Sequence, residues 1–376
     1  MPIFIRLAFV SFFSLFISTT ALAQEPFIYV SDVGDFQNGP WQILKYSGDG
    51  EFVGVFTTEN LGWPQDILFL DEDSTVLIPN ISTGRINTYN AQTGAWVGTF
   101  ASGLSDPTRI VIGPDSLLYV LQWAGSNQVL RYELDGTFVD VFTNTGVNAS
   151  IGIDWNSKGF LFVSSYYDAK VDCFDTAGNY VSTFVDSALA GPTNIWFDEE
   201  DVLHVLDFDG DAVKRFDTAG NYIDTWITGL DQCEGFAFME DGSLLIGNGG
   251  TGSVKRYDSA GNYLSDLVMP GTGGLIRPNA VVIHMEIPMD TTDSSTAVGS
   301  LSSKNNVSVY PTAGRQFYCK EPVKEVRVYS ANAQVVYTGE SPSSLVWDAS
   351  QMPSGAYIIE LRLSDGVIKR QKVLVK

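Results

Sequence analysis

From Phe27 onward short apolar runs alternate with polar turns, and the runs carry the β-branched and aromatic residues that suit strands. They read FIYV from Phe27, TVLI from Thr75, LLYV from Leu117, FLFV from Phe160, VLHV from Val202 and LLIG from Leu244. Each run is followed by an aromatic residue, a polar turn and a glycine: YSGDG from Tyr46, YNAQTG from Tyr89, YELDG from Tyr132, FDTAG from Phe174, FDTAG from Phe216 and YDSAG from Tyr257. Another strand succeeds each turn, as in FVGVF from Phe52, FVDVF from Phe138 and YVSTF from Tyr180. A fourth apolar segment ends the period: LGWPQDILFL, LSDPTRIVI, GVNASIGI, LAGPTNIWF, LDQCEGFAF and LIRPNAVVI. The turn aromatics recur every 41 to 43 residues, the length of a propeller blade. The trio starting at Phe27 has no fourth segment before it, and the segment Pro278 to His284 has no trio after it. The pattern therefore predicts that the end of the repeat region completes the first blade. Six four-stranded blades result, in a closed ring without free sheet edges.

In period and strand order, residues 25–286 resemble the NHL-like and TolB-like six-bladed propellers, a superfamily that includes gluconolactonases. The Asp-Asn-Arg pattern of NHL repeats survives only in degraded form at Trp123 to Asn127, Tyr166 to Lys170 and Phe208 to Lys214. Residues 287–304 have the composition of a linker. Residues 305–376 return to strand patterns such as VRVYS from Val326 and YIIELRL from Tyr357. NVSVYPTAG, KEVRVYSANAQVV, MPSGAYIIELRLSDG and the closing IKRQKVLVK make this tail similar to the C-terminal sorting domain of the type IX secretion system of Bacteroidetes. That resemblance implies an Ig-like β-sandwich, with the secretion machinery as partner. The expected fold class is all-β, a six-bladed β-propeller with a C-terminal Ig-like β-sandwich.

The first residues read as an export signal. Arg6 precedes an apolar run from Leu7 to Ile17, and Ala21-Leu22-Ala23 is a small-residue cleavage site, so residues 1–23 are expected to be removed. No transmembrane segment is expected afterwards, and the location is secreted or on the outer cell surface. Cys173, Cys233 and Cys319 suggest no disulfide framework; buried free thiols are expected. Residues 24–303 carry 11 Lys and Arg against 38 Asp and Glu, whereas residues 304–376 carry 10 against 6. So acidic a body repels phosphate backbones and argues against nucleic acid as a partner. It directs attention to cations, neutral glycans and protein or peptide surfaces.

Propeller ligands usually bind where the chain leads into the innermost strands. The residues there are Gln65-Asp66, Thr108-Arg109, Ala149-Ser150, Thr193-Asn194, Glu234-Gly235 and Asn279-Ala280. The gluconolactonase resemblance implies a divalent ion, calcium or another, held by Asp66, Asn194, Glu234 and Asn279. Such an ion would polarise an ester carbonyl and activate water, with Glu234 as the candidate catalytic residue. Strand alternation opposes this convergence, because Glu234 and Asn279 sit one position earlier than Asp66 and Asn194. Arg109 is expected to clamp a carboxylate or to neutralise Asp66 and Glu234. Trp63, Trp123, Tyr166, Tyr167 and Phe208 are expected on the same face, as platforms for a glycan, peptide or protein. The first blade has an enlarged loop there, Asp32 to Pro40. Asp207, Asp209 and Asp211 lack the calcium-loop spacing and read as a solvated turn. The leading expectation is a binding or scaffold module, and the alternative is a metal-dependent lactonase or ester hydrolase.

Overall fold

The computed structural model describes residues 25–71, 75–286, 309–310, 313–319, 323–330, 335–339, 345–353, 355–363 and 368–375. The expected signal segment and the linker 287–304 lie outside these. Six four-stranded antiparallel sheets account for residues 25–286. Blade 1 consists of Pro278–Glu286, Glu25–Asp32, Gln42–Ser47 and Phe52–Thr57. Its closure is the one expected: Phe27 pairs with His284, Ile28 with Ile283 and Val30 with Val281. Blades 2 to 6 begin with Leu68–Asp71, Pro107–Ile112, Ser150–Trp155, Pro192–Phe197 and Cys233–Phe238, and each continues outward in chain order.

The apolar core lies between blades rather than at a single centre. Leu77 and Ile86 of blade 2 pack with Ile110, Leu118, Val120 and Tyr132 of blade 3, and Ile28, Val30 and Leu44 of blade 1 pack with Leu245 and Val254 of blade 6. Burial of these strand faces is the main stabilising term of such a ring. The repeated glycine follows from the same packing. Gly178 has φ +78, and a Cβ there would lie 2.0 Å from the carbonyl oxygen of Phe142 in the preceding blade. Each turn therefore presses its backbone on its neighbour, which only glycine permits.

The C-terminal unit is also all-β. A three-stranded sheet of Val309–Tyr310, Gln316–Cys319 and Leu345–Asp348 accompanies a five-stranded sheet of Ala313–Gly314, Ile368–Val375, Gly355–Leu363, Val323–Ser330 and Val335–Gly339. Its core includes Phe317 stacked on Trp347 at 5.4 Å, with Val326, Val328, Ile359 and Leu361. Among the described residues no helix is long and apolar enough to cross a membrane.

Candidate functional site: the channel and the upper face

The innermost strands begin at one end of the channel, here called the upper face, and the register there is irregular. Pro107 pairs with Gln122 but Ile110 pairs with Val120, so one extra residue is inserted after Pro107; blades 4, 5 and 6 show the same bulge. An extra residue interrupts strict alternation. This removes the sequence-based objection to convergence, and side chains from both positions meet in the channel.

What they meet is a guanidinium. Arg109 reaches across from blade 3: its Nε donates to Asn194 Oδ1 at 2.8 Å, and its Nη2 donates to Glu234 Oε1 and to the Asn279 carbonyl oxygen, both at 3.1 Å. Its Nη1 lies 4.0 Å from Asp66 Oδ1 and has no hydrogen-bond partner among the described residues. Asp66 accepts the backbone N–H of Ile110 at 3.1 Å, and Asn194 Nδ2 donates to the Glu234 carbonyl at 2.6 Å. Asn279 Nδ2 donates to the Gln65 carbonyl at 3.2 Å. Burial pushes the Glu234 carboxyl up to about 7 against the opposing pull of Arg109 and a hydrogen bond from Asn279. The Asp66 carboxyl is also raised by burial, again opposed by Arg109.

The four residues expected to hold a divalent ion thus do come together, but around a cation that the chain itself supplies. Among the described residues no group of three or more His, Cys, Asp or Glu side chains is arranged to hold a metal. This donor set does not fit a resident divalent ion, because the guanidinium occupies the space among its oxygens. Arg109, expected at the mouth, is buried beneath it, only 5% exposed. A cavity of about 280 Å³ is lined by Asp66, Arg109 and Asn194 together with the middle of the inner strands, at Val111, Asp154, Trp196 and Phe236. No residue preceding these in the lead-in loops contributes to it. Blade 4 also departs from expectation: Ser150 takes the place opposite Ser165 that Pro107 takes opposite Gln122, so Ile151-Gly152 rather than Ala149-Ser150 fill the ring.

On the upper face the aromatic candidates separate into two groups. Trp123 lies 5.5 Å from Tyr166 and 5.0 Å from Tyr167, and Tyr166 lies 5.5 Å from Tyr167 and 6.0 Å from Phe208. These four rings form one patch across blades 3 to 5, with Tyr167 64% exposed. Polar groups fringe it: Tyr166 Oη donates to Asp209 at 2.8 Å, and Asn148 Nδ2 donates to Asp168 at 3.0 Å. Trp63 stands elsewhere, 5.1 Å from Phe36 of the enlarged loop, whose ring also lies under Arg277.

The three aspartates of blade 5 have separate tasks. Asp209 serves Tyr166. Asp207, expected in a solvated turn, is fully buried, accepting from the backbone of Gly191 at 2.7 Å and from Lys214 Nζ at 2.6 Å. Asp211 accepts from the Gln232 backbone at 3.3 Å. Asp207 belongs to a recurring device that the sequence reading missed. The last residue of the second strand accepts backbone N–H groups of the lead-in loop in blade 1 (Asp32 from Arg277), blade 2 (Asn80 from Gly62), blade 3 (Gln122 from Ser105) and blade 6 (Asn248 from Asp231). The signal was present as a polar residue closing each apolar run, but its chemistry varies from blade to blade. Cys173 and Cys233 are buried free thiols.

No protein-family model and no curated protein matches the chain. Solved structures do resemble it. A nidogen/laminin complex matches with TM-score 0.57 and 16% identity, covering 69% of this chain and 98% of that one. A Bacteroides caccae protein of unknown function matches with TM-score 0.55 and 15% identity over 70% of this chain and 100% of its own. A putative gluconolactonase matches with TM-score 0.50 and 15% identity over 60% and 89%. At such identities the likeness establishes a shared propeller architecture and leaves activity to the site.

Proposed function

We propose that this protein is a non-catalytic binding propeller that takes a carbohydrate on the upper-face patch of Trp123, Tyr166, Tyr167 and Phe208. The observation that carries the reading is the continuous cluster of four rings, part of it exposed, with Asp168, Asp209 and Asn148 at its edge. Flat rings offer sugar C–H faces an apolar platform, while carboxylates and amides accept and donate to hydroxyls. The hydrolase alternative requires an ion where Arg109 stands. Titrating maltohexaose, xylohexaose and chitohexaose into the full chain tests the reading. Binding of at least one, weakened about tenfold or more by Trp123→Ala and by Tyr167→Ala, is expected. Absence of binding across the series, or binding untouched by both replacements, overturns it.

We also propose that the C-terminal unit is the export signal read by type IX secretion machinery, leaving the propeller secreted or at the outer surface. The motifs in the tail and its two small β-sheets support this. Deleting residues 305–376 is expected to leave the propeller inside the producing cell.

A further inference from the structure

Blade 2 differs from the other blades on its outer side. In blades 1, 3, 4, 5 and 6 the aromatic that opens the outermost strand packs on the turn aromatic, as in Tyr46 with Phe52 at 5.8 Å, Tyr132 with Phe138 at 5.4 Å and Phe216 with Tyr222 at 5.9 Å. Trp96 stands at that position in blade 2, opposite Tyr89, and makes no ring contact with it among the described residues. Blades 4 and 5 also tie this ring down through its hydroxyl: Tyr180 bonds Thr183 at 3.0 Å and Tyr222 bonds Thr225 at 2.7 Å. An indole has no hydroxyl with which to bond Thr99 in the same way. A second cavity, of about 240 Å³, lies here, lined by Trp96, Thr99, Asn87, Arg85, Thr83 and the Asn60-Leu61 connector. Trp96 itself is 42% exposed.

The charge pattern is equally unlike the rest. Third-strand cations elsewhere pair with acids: Arg131 with Asp140 at 2.7 Å, Lys170 with Asp172 at 3.1 Å, Arg215 with Asp224 at 2.6 Å and Lys255 with Asp266 at 3.0 Å. In blade 2 uncharged Asn87 and Thr99 face each other, Thr99 Oγ1 donating to Asn87 Oδ1 at 3.3 Å. Arg85, at the start of that strand, is exposed and has no acid, acceptor or ring partner among the described residues. The nearby Glu59 carboxylate is engaged instead by the Trp96 backbone N–H at 3.0 Å. An unpaired arginine in so acidic a body is a place where an anion gains a bidentate charge-assisted contact without displacing an existing one.

We propose that this groove is a binding site for a carboxylate-bearing sugar residue, of the hexuronate class. Arg85 takes the carboxylate, the Trp96 ring takes a pyranose face, and the hydroxyls of Thr83 and Thr99 with the exposed amide of Asn60 bracket the sugar hydroxyls, while buried Asn87 holds the floor by donating to the Asn60 carbonyl at 2.8 Å. The site is separate from the upper-face patch and does not depend on it. Attraction to Arg85 is short-ranged against the surrounding negative field, so binding strengthens as salt rises from low to physiological concentration and that field is screened.

The test is calorimetric titration of the full chain with digalacturonate, galactobiose, acetate and an acidic dipeptide. Digalacturonate is expected to bind at least tenfold more tightly than galactobiose, and Arg85→Gln and Trp96→Thr are each expected to weaken it about tenfold or more. Lys158→Gln, which removes the same charge from another exposed position, leaves the affinity unchanged. Both groove variants lie at exposed side chains and keep the wild-type unfolding midpoint. No binding of digalacturonate, binding indifferent to Arg85→Gln, or equal affinity for acetate or the dipeptide overturns the proposal.

Discussion

Glu234 is held in a buried site where its folded pKa, near 7, lies above the ordinary 4.5. The folded protein therefore keeps a proton that the unfolded chain has already released at pH 6, and folding takes up a proton between the two values. Stability must then fall as pH rises from about 4.5 to about 7 and level off above, by about 3 kcal/mol for this one group. Asp66, raised for the same reason, adds to the slope in the same direction. Glu234→Gln keeps an acceptor for Arg109 and removes the titration, so its unfolding midpoint should vary less with pH across that window. Equal slopes in the two proteins would refute the assignment. Asp207 poses the opposite problem, a buried carboxylate paired with Lys214 and with loop N–H groups. Asp207→Ala leaves those donors and the ammonium without it, and a loss of about 3 kcal/mol is expected in urea unfolding. Asp207→Asn, which keeps one acceptor, should lose less.

At the scale of the element, the turn is the unit that both repeats and couples. FDTAG was legible because a hairpin turn needs Asp to cap backbone N–H groups and glycine to take positive φ. Asp175 accepts from the N–H of Ala177 at 2.9 Å and of Asn179 at 2.8 Å. What local patterning could not convey is that Gly178 also abuts the Phe142 carbonyl. Gly178→Ala is accordingly expected to cost more than positive φ alone, about 2 to 3 kcal/mol in denaturant unfolding, whereas Ala177→Gly at the exposed neighbouring position should cost under about 1 kcal/mol. The bulge at the start of the first strand in blades 3 to 6 was hidden for a different reason. A one-residue insertion in a strand of apolar and polar residues changes no composition, yet it decides which side chains enter the channel. In blade 4, which has no proline there, the residues that enter the channel lie further along the chain than the entry pattern Ala149-Ser150 indicates.

Across the whole molecule, Arg109 joins parts of the chain far apart in sequence, touching residues of blades 5, 6 and 1 and facing Asp66 of blade 2. Its removal strands two raised carboxylates in the channel. Arg109→Met should destabilise the propeller by about 3 to 5 kcal/mol, and adding Glu234→Gln should restore part of the loss. Additive losses in the double variant would show that the guanidinium and the carboxylate do not act as a pair. The blade period, the four strands of each blade, the closure of Pro278–Glu286 onto Glu25–Asp32 and the β character of the tail were determined by the amino-acid sequence alone, because apolar alternation and turn chemistry act over neighbouring residues. Tertiary structure alone decided that the ion-ligand candidates surround Arg109, that four of five aromatics share one patch, and that Arg85 pairs with no acid among the described residues. Those outcomes depend on distances between residues tens to hundreds of positions apart, which bulges, blade twist and long side chains set only once the ring has closed.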